Sequence, residues 1–188
     1  MFQFFLVLLI VIGMNIAVQL LHGYISANRL RRMLLAVFVA YACSNLYFTI
    51  LSRTVGSGTT LELHPFRAYH NLFEVTELRA ESVSGLAAYF LRDASPIISI
   101  ALNILLYYPL GYLLPILFPR LKPKHVILIG CLCSIATEAT QYLLKMGWCE
   151  TDDVIHNTLG TAIGVWVWLW QSKRLNAQRS ANPRKGET

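Results

Sequence analysis

VILIGCLCSIATEATQYLL (126–144) and, after a short loop, DDVIHNTLGTAIGVWVWLW (152–170) decide the fold of this chain. Both runs are apolar enough for a membrane interior. The first nevertheless carries Glu138 and Gln141. The second opens on Asp152, Asp153 and Asn157 before turning wholly apolar. A charged group near the centre of a spanning helix costs roughly 2.5–3.5 kcal/mol even on insertion scales, so such residues are rarely kept without a packing or functional reason.

Working outward, three more stretches have the length of a span, about 20 apolar residues. They lie at 2–22, 33–52 and 96–118, and the quoted runs give spans at 125–145 and 153–171. The sequence thus predicts an all-α polytopic membrane bundle of about five transmembrane helices. Composition agrees: 55% of residues are hydrophobic, 14% are charged, and mean hydropathy is +0.50, which no ordinary soluble domain approaches. The first stretch lacks a basic start and an A-x-A-like cleavage site, so it reads as an uncleaved span.

The chain carries a net charge of +6, but its distribution excludes a nucleic-acid surface. Eleven of the 16 basic residues fall on one side of the predicted spans: Arg29, Arg31 and Arg32; Arg120, Lys122 and Lys124; Lys173, Arg174, Arg179, Arg184 and Lys185. The positive-inside rule then places the N-terminus outside and the C-terminus in the cytoplasm. A basic tail, 172–188, follows the membrane domain of 1–171. It is expected to be disordered and to meet anionic lipid headgroups rather than nucleic acid.

Residues 53–95 form the one long extramembrane segment. It contains His64 and Pro65, and 70–92 mixes apolar with charged residues in the manner of an amphipathic helix at the outer interface. A solvated loop is the alternative. The four cysteines make no C-x-x-C pair. Neither a disulfide framework nor a zinc site is expected. His156 with scattered carboxylates is too sparse a set for a metal. No cofactor is expected.

At about 1.5 Å per residue, Glu138 lies about 10 Å below the outer end of its span, level with Asn103, while Gln141 and Asn157 lie about 6 Å deep. Asp152 and Asp153 sit at the outer surface, and Arg53 closes the second span there. Glu138, Gln141 and Tyr142 share a helix face, as do Asp153 and Asn157. The polar groups converge either as a site or as hydrogen-bonded cross-links between helices. Glu138 is then protonated or paired with Arg53. Asn157 is a candidate to satisfy a carbonyl freed by Pro109. Gly160-x-x-x-Gly164 permits close helix approach, and Pro109 with Gly111 is expected to kink the third span.

These residues resemble a known family. Asn103-x5-Pro109-Leu110-Gly111, Ser134-x3-Glu138-x2-Gln141 and Asp152-Asp153-Val154-Ile155-x-Asn157-Thr158-Leu159-Gly160-x3-Gly164 are similar to the VanZ-like bacterial membrane proteins. So are Leu63-His64-Pro65-Phe66 and Arg53, over roughly 30–170. One departure stands out: many members carry an arginine shortly before the aspartates, where this chain reads Met146-Gly147-Trp148-Cys149-Glu150. The resemblance implies a protein of the bacterial cell membrane acting at the envelope, in a family associated with teicoplanin resistance. The functional expectation is an outward pocket for the headgroup of a lipid-linked precursor or a glycopeptide. Arg53 would hold an anionic group, Asn103, Gln141 and Asn157 would hydrogen-bond it, and Glu138 and Asp153 would orient it or move protons. An enzyme using Glu138 or Asp153 as general base on an envelope lipid is the alternative, and a small transporter is the third.

Overall fold

The computed structural model describes residues 2–21, 25–67 and 95–181. In order the elements are α1 (Phe2–Leu21), α2 (Ala27–Leu46), a π-helical turn (Tyr47–Leu51), β1 (Gly58–Glu62), α3 (Ser95–Leu117), α4 (Pro123–Leu143), β2 (Met146–Glu150) and α5 (Thr151–Ala181). The protein is thus mostly helical. Among the described residues three stretches are long and apolar enough to cross a membrane: Asn28–Leu51, Ile97–Leu117 and Pro123–Leu143. The amphipathic helix expected at 70–92 lies outside the described residues.

Two expectations are corrected. Helix α5 does not stop at 171 but runs on to Ala181, so the first part of the tail is helical. The loop before the aspartates is a strand: β2 pairs in parallel with β1, with Gly58 opposite Met146 and Glu62 opposite Glu150. Ordinary strand signals are missing from both. Gly58-Thr59-Thr60 reads as a turn, and Met146–Glu150 has no alternation. Lys145 ends α4 in the left-handed conformation, at φ 53°, and Gly147 continues the reversal at φ 111°.

The bundle is built on α3 against α5, the most extensive contact between elements. Small residues make it possible. A Cβ on Gly160 would run into the Ile104 carbonyl, one on Gly164 into the Tyr108 carbonyl, and one on Gly111 into the Thr161 carbonyl. The two backbones therefore touch directly, the arrangement that favours membrane helix association through dispersion. Gly111 accordingly serves packing. Pro109 and Pro115 both sit inside helical α3. Pro109 has no N–H to offer one turn back, and at the adjacent carbonyl, Leu106, the Tyr41 hydroxyl of α2 donates at 2.8 Å.

Lower in the bundle a polar chain ties α1 to both partners. The Tyr108 hydroxyl donates to Asn15 Oδ1 (3.0 Å), Gln171 Nε2 donates to the same oxygen (3.2 Å), and the Tyr112 hydroxyl donates to Gln171 Oε1 (2.5 Å). Tyr112 and Gln171 are buried, so each polar atom must find a partner within the protein.

Candidate functional site

The site assembles at the N-terminal end of α5, where α3, α4 and the two strands meet it and the π turn after α2 joins through α4. Along α4 the buried residues are Val126, Gly130, Ser134, Glu138 and Gln141. Their spacing of four, four, four and three makes one stripe, apolar and small at the start and polar at the end. Glu138 is 5% exposed and Gln141 is 2% exposed, so neither faces lipid. Tyr142, expected on the same face, is turned outward at 41%.

Each polar group has a defined partner. Glu138 Oε2 accepts the backbone N–H of Glu150 at 3.0 Å, on the last residue before α5. Asn103 Nδ2 of α3 donates to Asp153 Oδ1 at 2.5 Å. Asn157 Nδ2 donates to the Ser134 hydroxyl at 2.8 Å, not to a carbonyl freed by Pro109. Gln141 Nε2 donates to the Thr49 carbonyl at 2.9 Å. That carbonyl lies in the π-helical turn ending α2, where the ladder widens and leaves acceptors over.

The strands bring in the remaining pieces. Asp152 Oδ1 accepts the backbone N–H of Phe66 at 2.5 Å, so the His64-Pro65-Phe66 turn is fastened to the first turn of α5. Phe66 sits at φ 66°, uncomfortable for a bulky residue, and the carboxylate bond helps hold it there. Asp152 is buried at 4%, while Asp153 is half-buried. Side chains of His64 and Pro65 are exposed and join none of these bonds. Pro109 and the glycines Gly111, Gly160 and Gly164 stand deeper, in the α3–α5 contact.

Arg53 Nη1 donates to the Met146 carbonyl at 3.4 Å and lies beside Gly147. It thereby places a guanidinium beside the Met146–Glu150 strand, which has no arginine of its own. Its charge acts on Glu138 and on Asp153. Those two carboxyls also feel each other. Burial first, and then the Glu138 carboxylate, push the thiol of the neighbouring Cys149 above its ordinary range, so it stays protonated and unreactive at neutral pH. Among the described residues no group of three His, Cys, Asp or Glu side chains is placed to hold a metal ion.

Sequence reasoning missed the Glu150 N–H as the partner of Glu138, and the Thr49 carbonyl. Both are backbone groups, which leave no signature in a residue pattern. It also missed a groove of about 330 Å³ between α2, α3 and α4, lined by Tyr41, Asn45, Thr49, Tyr107, Thr137 and Thr140 among others. Its polar side chains fall at helical spacing on α2 and α4, a signal that was present. The groove reaches the site through Thr49, whose carbonyl holds Gln141.

Neither a curated protein nor a solved structure matches the chain. The sequence pattern of the VanZ/LLP1 family does, over residues 33–172. That match takes in Arg53, the Leu63–Phe66 turn, Asn103, the α4 stripe and the whole α5 motif, and with its apolar helices the chain is a multi-pass membrane protein belonging to the VanZ/LLP1 family.

Proposed function

We propose that this protein is a cell-envelope membrane protein whose polar site engages the headgroup of an envelope lipid at the outer leaflet. The substrate class is a phosphate-bearing lipid, either a bulk phospholipid or a lipid-linked precursor. In this reading the chain spans a bacterial cell membrane five times, with the N-terminus outside and the C-terminus inside. Helix α5 counts as a span although it is less apolar, because its polar residues Asp152, His156, Asn157 and Thr161 are buried against protein rather than lipid.

The observation that carries the reading is the convergence of polar groups from α3, α4, α5 and the end of α2 at one end of the bundle. Cross-linking alone does not require it. Cross-links between membrane helices are worth only about 1 kcal/mol each, and ionisable residues are not needed for them. Arg53 is exposed at the rim, where its remaining N–H groups meet a phosphate. Asn103 and Asn157 position what lies beneath, and the groove under Thr49 takes a hydrocarbon chain. Through such a ligand the protein contributes to resistance against glycopeptides such as teicoplanin, as its family association suggests.

An enzyme reading draws on a specific feature: Glu138 and Asp153 bring two carboxyls to the same end of the bundle, as an acid–base pair requires. Purified protein incubated with defined lipids separates the two. Retained, unaltered lipid supports the binder, and steady conversion supports the enzyme. Failure to retain any lipid above a control helical membrane protein refutes the headgroup reading.

A further inference from the structure

The charge around the site does not suit a purely anionic ligand. Glu138 and Asp153 both feel the guanidinium of Arg53, but Glu138 also feels the carboxylates of Asp153 and Glu150, and Asp153 those of Glu150 and Asp152. Even with Lys145, exposed at the end of α4, counted in, acid outweighs base. Arg67 is taken up by Glu62. A carboxylate cluster by itself proves nothing about ligands. The second observation is Gln141.

Gln141 is 98% buried, given its 2% exposure, and its Oε1 has no hydrogen-bond partner. Its orientation is not open to choice. Nε2 faces the Thr49 carbonyl, which can only accept, so the amide nitrogen must be the atom on that side. The carbonyl oxygen is therefore the unpartnered one. A buried acceptor left without a donor costs about 1–3 kcal/mol, which a ligand bearing N–H or O–H groups relieves. Asn157 Oδ1, in a side chain 4% exposed, is likewise without a partner. Its Ser134 neighbour can donate or accept, so Asn157 adds weight only once Gln141 has set the sign. Both amides lie within one turn of a carboxylate of the cluster: Gln141 is three residues from Glu138, and Asn157 is four from Asp153.

We infer that the site recognises a protonated amine on the lipid headgroup, held by the Glu138–Asp153 carboxylates and donating to Gln141, with Arg53 taking the adjacent phosphate. The inference rests on the headgroup reading and specifies it: the ligand is zwitterionic around one phosphate. Thr49 fits this arrangement. It borders the groove, its carbonyl holds Gln141, and it stands four residues before Arg53.

The chemistry has two sources, an aminophospholipid or the free amine of a lipid-linked peptide. The full chain in lipid nanodiscs, read by native mass spectrometry, is offered phosphatidylethanolamine, its mono- and dimethyl forms, phosphatidylcholine and phosphatidylglycerol in turn. The methylation series keeps the positive charge while removing N–H donors one at a time. Retention is expected to fall stepwise, by about tenfold or more from ethanolamine to choline, since a charge-assisted hydrogen bond is at stake. Glu138→Gln combined with Asp153→Asn is expected to flatten the series while melting temperature holds. Equal retention of ethanolamine and choline lipids, or a preference for phosphatidylglycerol, overturns the amine but leaves headgroup binding standing. No lipid retained at all overturns both. A polyprenyl-linked peptide that displaces phosphatidylethanolamine only when its amine is free, not acetylated, assigns the amine to the precursor. If neither form displaces it while the methylation series still falls, the source is the aminophospholipid.

Discussion

Glu138→Gln separates a working carboxylate from a structural one. The present carboxylate makes one charge-assisted hydrogen bond, to the Glu150 N–H at 3.0 Å, in a side chain 5% exposed. Glutamine is nearly isosteric and its Oε1 can accept the same N–H, so the bond changes from charged to neutral rather than vanishing. Charged bonds contribute about 1.5–3 kcal/mol and neutral ones about 0.5–1.5, so the loss is about 1 kcal/mol. Relief of repulsion from Asp153 and Glu150 opposes it. A chain of this size should then melt within about 4 °C of the parent. Glu138→Ala provides the scale. It strands the Glu150 N–H and opens a cavity, at about 1–3 kcal/mol for the orphaned donor alone. Thermal unfolding in detergent measures both, and lipid retention with teicoplanin susceptibility at matched membrane abundance measures function. The expected result is a glutamine variant as stable as the parent but lacking lipid retention and any resistance phenotype. If Glu138→Gln keeps both, or melts as early as the alanine variant, the carboxylate is there to hold the strand, and the functional argument fails.

Other outcomes follow from the same geometry. Gly160→Leu should lower expression and stability by at least about 1–3 kcal/mol, because its side chain meets the Ile104 backbone and not a flexible neighbour; a variant that melts like the parent refutes direct backbone contact. Asp152→Ala should release the Phe66 N–H and loosen the already exposed 63–66 turn, read as faster amide hydrogen exchange at Phe66 with little change in overall melting. Tyr112→Phe should cost about 1–3 kcal/mol by leaving Gln171 Oε1 buried and unpaired, seen as a drop of several degrees in melting temperature with lipid retention intact. Reporter fusions at residues 60 and 180 should lie on opposite membrane faces; finding both on one face removes the five-span arrangement.

The long helices and the membrane setting were legible because hydrophobic length is a property of the residues themselves, although α5 runs ten residues past its apolar end. The candidate-site residues were legible for the same reason: Glu138, Gln141, Asp153 and Asn157 stand out wherever lipid is the expected solvent. What bonds them was not. Glu138 and Gln141 are held by backbone groups whose availability depends on where α5 begins and where α2 widens into a π turn. The β1–β2 pairing stayed hidden because its parallel partners are more than 80 residues apart and neither strand alternates. Arg53 was marked as an anion ligand from its position. Its reach to the Met146 carbonyl needed the folded loop.

Helix α5 is poorly described by its mean hydropathy. Its buried residues are Asp152, His156, Asn157, Gly160, Thr161, Gly164, Val165 and Gln171, which fall on one face at steps of one, three and four and a last step of six. Polar residues fill the N-terminal part of that face, small ones the middle, and a glutamine closes it. On the opposite side Leu159, Trp166 and Trp170 are exposed. An average over the helix mixes a lipid-facing surface with a protein-facing one and reports neither. Separated, the outward face is apolar and the inward face carries the site at one end and the glycine contact with α3 in the middle. The two functions of the helix are therefore coupled by rigidity: the backbone contact at Gly160 and Gly164 fixes the height and rotation of α5, and that fixes Asp153 against Asn103 and Asn157 against Ser134. A substitution that merely loosens the glycine contact should thus impair ligand binding before it unfolds the protein, whereas Glu138→Gln should impair binding without loosening that contact.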